Sequence, residues 1–530
     1  MNADIGEVAR RLEVDYVLDG SVRTQDDRVR VTAALLRTSD ARRLWSDSYD
    51  GRLDDIFEIQ QRIGSSVAGA LRRKLVKAVL PSGPLVTNGE AYNLYLTARG
   101  LIRTYKRQDG ATAVGLLRDA IKIDPDFAPA WASLAEATQL EGATSGYEGL
   151  AEATPRAERY ARHALKLAPD LAQAHRTLGM LLPFGTPSAQ AHLRHAAELD
   201  PNTAENFIWL GVSHGAAGEF KKEQDALRKA VQLDPYWFRT TAHAAVAAAE
   251  MGNRAEAEAI VRRGSSKNEV VQHLLLGRIA WIFGDFSEAA RRLSIVARSD
   301  SSRWGDTARR HLNDANYAIG LTTHTLAAVP PPNDQRRLTT VWIEVPPAPS
   351  VWRLRNRSPS AAGTYRDYNH KAAKLMLLAG RGRELVSAYD SPHGLLTLLP
   401  NDTLRVDQLP EAPVIALALR QAGRSADESK LLREANAAVH ATYRRGRVPF
   451  WFDASAAAIR AVQGRRDEAL SMLERAERRG WTHTANTDLR DIGDEPAFRS
   501  LKGDARFERL RARLAAHQAR ERRETENLRL

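Results

Sequence analysis

Leu210-Gly211-Val212-Ser213-His214-Gly215-Ala216-Ala217-Gly218-Glu219-Phe220, continued through Leu227 and Ala230 to Leu233-Asp234-Pro235, decides the architecture of this chain. Two antiparallel helices pack closely only where small side chains let their axes approach, and Leu210-Gly211 supplies such a place. Gly218 permits the turn, Phe220 enters the second helix, and Leu227 and Ala230 lie on its inner face. Pro235 then ends the helix, because proline cannot continue one. The stretch predicts a helical hairpin that buries one face of each helix.

The same unit recurs six times between Glu90 and Ala297. Its closures are Ile123-Asp124-Pro125, Leu167-Ala168-Pro169, Leu199-Asp200-Pro201 and Leu233-Asp234-Pro235, with prolines 44, 32 and 34 residues apart. The sixth unit repeats the internal spacing as Leu276-Gly277, Gly284, Phe286, Ala289, Leu293 and Val296. The fifth keeps Gly252 and Ala257, the third Leu178-Gly179, Ala189, Leu193 and Ala196, and the second Trp131, Leu134-Ala135, Ala157, Ala161 and Ala164. A recurrence near 34 residues with this small/large code resembles the tetratricopeptide repeat family, which implies a solenoid of helix hairpins with a concave binding surface. Weaker units surround Gly423, with Leu432 and Ala435, and Gly464, with Ala469, Leu473 and Ala476. Glu223 and Glu428 depart from the alanine the family prefers.

Residues 1–77 follow another pattern. Ile5, Val8 and Leu12 have helical spacing; Tyr16–Arg23 and Arg28–Leu36 are rich in β-branched residues, with a polar turn at Gln25-Asp26-Asp27. Arg43–Tyr49 reads as a third strand, and Ile56, Ile59, Ile63, Val67, Leu71 and Leu75 form a helical stripe. The predicted order is α-β-β-β-α. Val14–Arg23, Arg28–Ala33, Leu44-Trp45, Tyr49-Asp50 and Leu53–Phe57 together resemble the C-terminal half of a TolB-like domain of bacterial signalling proteins. The expected fold is therefore mainly α, a tetratricopeptide-type solenoid preceded by a small α/β fragment. The expected divisions are that fragment at 1–77, a linker at 78–89, the repeat array at 90–320, and a proline-rich linker or loop at 321–364. Further repeat-like helices follow at 365–480, then an end segment at 481–530 whose last residues read as a frayed helix or charged tail.

Composition narrows the function classes. With 530 residues and 43% hydrophobic content a sizeable core is available, and with no cysteine there is neither a disulfide framework nor a thiolate metal site. No apolar run approaches bilayer-spanning length, and no basic-then-apolar leader opens the chain, so the cytoplasm is the expected compartment. The net charge of +12 invites a nucleic-acid reading, but 64 of the 77 basic residues are arginine. That skew, beside abundant alanine and leucine, is what a GC-rich genome imposes anywhere.

Sequence signatures of catalysis are missing: there is no phosphate-cradling Gly-x-x-x-x-Gly-Lys, no dinucleotide Gly-x-Gly-x-x-Gly after a strand, and no His-Glu-x-x-His. Gly142-Ala143-Thr144-Ser145-Gly146 misplaces its serine for a nucleophile elbow. His192 and His195, one helical turn apart, read as solvated helix histidines. No catalytic, cofactor or metal residue is expected. Trp131, Trp209 and Tyr236-Trp237-Phe238 fall where repeat packing needs bulk. Trp281, Arg176, Arg239 and Arg278 fall, in the repeat frame, on turns that face the groove. A row of arginines beside a tryptophan suits an acidic peptide, through bidentate carboxylate contacts and an aromatic anchor.

The domain order resembles the C-terminal half of bacterial cyclase-type, winged-helix and kinase-linked regulators. The expected function is a non-enzymatic scaffold holding a protein or peptide in the concave groove. Two alternatives stay open: a nucleic-acid-associated regulator, and a remnant or partner of an adenylate-cyclase-type or kinase signalling enzyme whose catalytic domain lies outside this chain.

Overall fold

The structure is a computed structural model that describes residues 16–25, 28–38, 42–52, 63, 66, 89–104, 109–142, 146–265, 268–299, 308, 311–312, 373–374, 377–378, 380–389, 404–482 and 491–528. The chain divides into two compact units, one of residues 1–141 and 159–174, the other of residues 142–158 and 175–530.

In the first unit, β1 (Tyr16–Gln25), β2 (Arg28–Arg37) and β3 (Arg43–Arg52) form an antiparallel sheet in the order β1-β2-β3. The polar turn sets the hairpin, since Gln25 pairs with Arg28 and the register runs to Tyr16 opposite Arg37. Val29 and Tyr49 are buried and pack with Val31, Trp45 and Ile63. On β2 and β3, Arg30 faces Asp50 across the strands in an exposed ion pair of 2.5 Å, a kind of contact that adds little stability. The three strands are where the sequence predicts them. The helices expected around Ile5 and Ile56, the expected linker 78–89 and the proline-rich stretch 321–364 lie outside the described residues, apart from Ile63, Ser66 and Gly89, the last of which opens a helix instead.

The repeats open with α1 (Gly89–Thr104), α2 (Asp109–Ile123), α3 (Ala128–Gly142) and α4 (Gly146–Leu167). Ala98, Ile102, Val114, Leu117 and Leu134 share one core cluster. The Trp131 indole donates to the Pro125 carbonyl at 2.8 Å, tying the third helix to the closure of the preceding hairpin.

Beyond them run α5 (Ala172–Leu181), α6 (Pro187–Leu199), α7 (Ala204–Ala216), α8 (Phe220–Leu233), α9 (Phe238–Glu250), α10 (Arg254–Gly264), α11 (Glu269–Ile282) and α12 (Phe286–Ser299). Each predicted proline stands two residues past a helix end, at Ile123, Leu167, Leu199 and Leu233. The small/large code has a direct geometric cause. A Cβ on Gly179, Gly211 or Gly277 would stand 2.6, 3.0 and 3.0 Å from the Cγ of Leu193, Leu227 and Leu293 on the partner helix. Gly218 turns the hairpin at φ +74°, where a side chain is strained.

After α13 (Gly382–Tyr389), the weaker units form two further hairpins: α14 (Ala412–Gln421) with α15 (Ser425–Arg444), and α16 (Phe450–Val462) with α17 (Arg466–Arg478). The fold is thus a tetratricopeptide-type array of hairpins, with a small three-stranded sheet near the N-terminus. One hydrophobic cluster of the second unit extends from Phe220 to Leu514, so the later hairpins pack onto the earlier ones. Phe283 meets Phe450 at 6.3 Å between ring centres, and Phe220 meets Trp451 and Phe452.

The end of the chain differs from the expected frayed helix or charged tail in being ordered. α18 (Ala505–Asn527) is a continuous helix, with Phe507, Leu510, Leu514, Glu521 and Thr525 buried. Its charged stretch is held because Glu521 and Glu524 serve as partners for α12. Glu521 accepts from the Ser287 backbone N–H and hydroxyl, both at 3.1 Å, and the hydroxyl also reaches Glu524.

Candidate functional site

The four residues predicted to line the groove sit on the first helices of their hairpins: Arg176 on α5, Arg239 on α9, and Arg278 and Trp281 on α11. Their surroundings differ from an open groove. Arg176, Arg278 and Trp281 are only 3%, 5% and 4% exposed. The Arg176 guanidinium donates to Asn206 Oδ1 at 3.1 Å and lies 3.4 Å from Glu205 Oε2, a pairing that holds α5 against α7. Trp281 belongs to the continuous core rather than to a free face. Arg239 is half-buried, and its guanidinium carbon stands 4.6 Å above the Trp209 ring in a cation–π contact.

The physical reason for this burial is the number of elements around each first helix. Its own second helix covers one side, the first helices of adjoining repeats cover others, and at α7, α9 and α11 the later hairpins close over the C-terminal end. The Arg447 guanidinium donates to the Met251 carbonyl beyond α9, and the Arg445 guanidinium to the Ala217 carbonyl beyond α7. A Cβ on Gly218 would meet Val406, and one on Gly284 would meet Thr482. A cavity of about 20 Å³ remains at this junction, lined by Phe184, Val212, Ala216, Asp407, Pro410 and Trp451.

Buried polar groups are concentrated on the first helices. Arg176, Asn206, His214, His243, Glu250 and Arg278 are all buried there, whereas the second helices α6, α8, α10 and α12 bury Glu223 and Ser294. At the α7–α8 turn, His214 Nδ1 donates to Glu219 Oε2 at 2.6 Å, and Gln190 and Lys222 donate to the same carboxylate. Burial works to raise the Glu219 pKa, but the hydrogen bonds from Lys222 and His214 outweigh it and hold it at about 2. Desolvation lowers the His214 pKa despite that neighbour.

Sequence reasoning missed the partner of the two helix histidines. His175 Nδ1 lies 2.9 Å from His192 Nδ1, and its ring meets His195 edge-on at 4.5 Å. The signal was available: the register that sets Gly179 on Leu193 sets His175, one turn back, against the histidines flanking Leu193. Among the described residues, no group of three or more His, Cys, Asp or Glu is arranged to hold a metal ion. No helix among them is long and apolar enough to cross a membrane.

No known family model matches the chain. A curated protein of Rhizobium meliloti (strain 1021) named "Putative adenylate cyclase 3" is 30% identical over 181 residues. That match takes in 34% of this chain and spans about a third (31%) of that relative's length. Similar solved structures include PilW, a type IV pilus biogenesis factor, with 20% identity over 41% of this chain and 98% of that one, at a TM-score of 0.32. The pilF protein of Pseudomonas aeruginosa has 20% identity over 42% of this chain and 96% of its own, with a TM-score of 0.29. YrrB, described as a tetratricopeptide protein with an unusual peptide-binding site, has 16% identity over 34% of this chain and 89% of its own, with a TM-score of 0.22.

Proposed function

We propose that this protein is a non-enzymatic interaction scaffold that holds an acidic peptide segment of a partner protein along the first helices of its repeats. One observation carries the reading: buried polar and charged side chains are concentrated on those helices, while the second helices α6, α8, α10 and α12 bury mainly apolar side chains, with Glu223 and Ser294 the polar ones. Buried polar groups cost stability unless partnered, and a helix hairpin needs none of them to pack. Arg239 is the member of the predicted row that is only half-buried. Stacked on Trp209, it presents a pre-oriented guanidinium, which lowers the ordering cost of gripping a carboxylate. Arg176 acts one layer deeper, holding α5 against α7 through Asn206 and Glu205.

The test is a fluorescence titration with a library of acidic peptides. Arg239→Glu should raise the Kd at least about tenfold, and Arg228→Glu, on the exposed face of α8, should leave it unchanged. Equal binding by both variants would remove the assignment.

A signalling context is the second part of the proposal. The sequence likeness to a cyclase-named protein favours it, as do the TolB-like residues in β1, β2 and β3. In that reading the scaffold works beside a separate catalytic or DNA-binding output domain. Co-purification of an adenylate cyclase activity with the tagged chain from its own cells would support that context, and a partner set without any signalling enzyme would oppose it.

A further inference from the structure

We infer that β1 is a docking edge for a second copy of this chain, pairing antiparallel with its own equivalent about Ser21 to make a six-stranded sheet. Among the described residues β1 pairs on one side only, with β2, and lies at the edge of the sheet. A ten-residue edge strand presents a row of backbone donors and acceptors that templates pairing, and natural proteins shorten, charge or cover such edges. Here the edge is long, and Leu18 to Thr24 are all exposed.

The uncovered side chains are apolar on the face that matters. Register sets Leu18 beside Leu35 and Val22 beside Val31, so both point to the side on which Val29, Ala33 and Leu35 are buried. Yet Leu18 is 51% and Val22 is 65% exposed. The sheet's apolar face thus continues past its covered part and stops at the edge strand. An antiparallel pair related by a two-fold axis normal to the sheet keeps the two copies' faces on the same side. The strips from both copies would then merge.

Charge identifies the occupant and the register. A two-fold axis at Ser21 sets Asp19 of each copy opposite Arg23 of the other, two opposite-charge pairs, and Val22 opposite Gly20. Directly opposed unlike charges stabilise a strand pair, and like charges weaken it. The strand is therefore complementary to its own reverse, which an arbitrary partner strand would not be.

Sedimentation velocity on the full chain is the test. Wild type should show a concentration-dependent dimer. Asp19→Arg should raise the dissociation constant about tenfold or more, by placing Arg opposite Arg twice. Asp19→Arg with Arg23→Asp should restore it, a result that a simple folding defect would not produce. Because the chain has no cysteine, Ser21→Cys adds a single thiol on the axis. It should give a disulfide-linked dimer on mild oxidation, since opposed Cβ atoms fall near disulfide range. A wild type that stays monomeric into the high micromolar range, or a dimer indifferent to both charge variants, overturns the inference.

Discussion

The Trp451 indole Nε1 donates to Glu250 Oε2 at 3.0 Å, joining two buried residues 201 positions apart. The bond ties the first turn of α16 to the last turn of α9, and so the later hairpins to the earlier ones. Replacing one partner of a buried, charge-assisted hydrogen bond leaves the other desolvated. Trp451→Phe keeps the aromatic packing on Phe220 and removes the donor. It should lower the unfolding free energy by about 1–3 kcal/mol in denaturant titrations. Because one core spans both sets of hairpins, far-UV and tryptophan signals from this unit should move together.

Gly218 and Gly423 separate turn strain from docking. Both have positive φ, +74° and +76°. A Cβ on Gly218 would stand 2.6 Å from Val406 Cγ2, while one on Gly423 meets nothing within 4 Å. Gly423→Ala should cost about 1–2 kcal/mol from the backbone alone. Gly218→Ala should cost about 1–3 kcal/mol more through overpacking. Equal losses by calorimetry would show that the contact with Val406 does not form.

The hairpins were legible because their signals are local. Gly211 fits Leu227 on the neighbouring helix and Pro235 ends it, within one repeat. The strands were legible for the same reason, from β-branched runs around a polar turn. The burial of Arg278 and Trp281 was not, because it depends on which distant elements arrive. Repeat periodicity places both on a groove-facing turn, but it cannot register Phe450 meeting Phe283 or Thr482 meeting Gly284. The last helix misled for a related reason. Its charges read as a tail, and only the structure places Glu521 at the start of α12.

That carboxylate supplies the next test. Glu521 accepts from the Ser287 N–H in the first turn of α12, where the helix dipole favours negative charge. Glu521→Ala should destabilise the protein by about 0.5–2 kcal/mol, the usual cost of a lost cap. Hydrogen exchange should show the loss of protection concentrated at the first turn of α12 and in the last turns of α18.

Glu219 sets an acid limit. Its carboxyl is held at about 2 in the fold against an ordinary value near 4.5. A depressed carboxylate pKa contributes stability that is complete above the unfolded value and is lost as pH falls through the folded one. The lowered His214 pKa acts in the same direction, since the unfolded imidazole binds a proton more readily. Stability should therefore fall as pH drops from about 6.5 to about 2. In Glu219→Gln, the part of that slope below about 4.5 should shrink.

The central claim is that the first helices grip an acidic segment through Arg239 on Trp209. Its most direct measurement is fluorescence anisotropy of the tightest acidic library peptide on wild type and on Arg239→Glu, at low and moderate salt. The variant should show at least about a tenfold rise in Kd, the loss expected for a charge-assisted contact, and wild-type binding should weaken as salt increases. Equal affinities for the two proteins at low salt would contradict that claim.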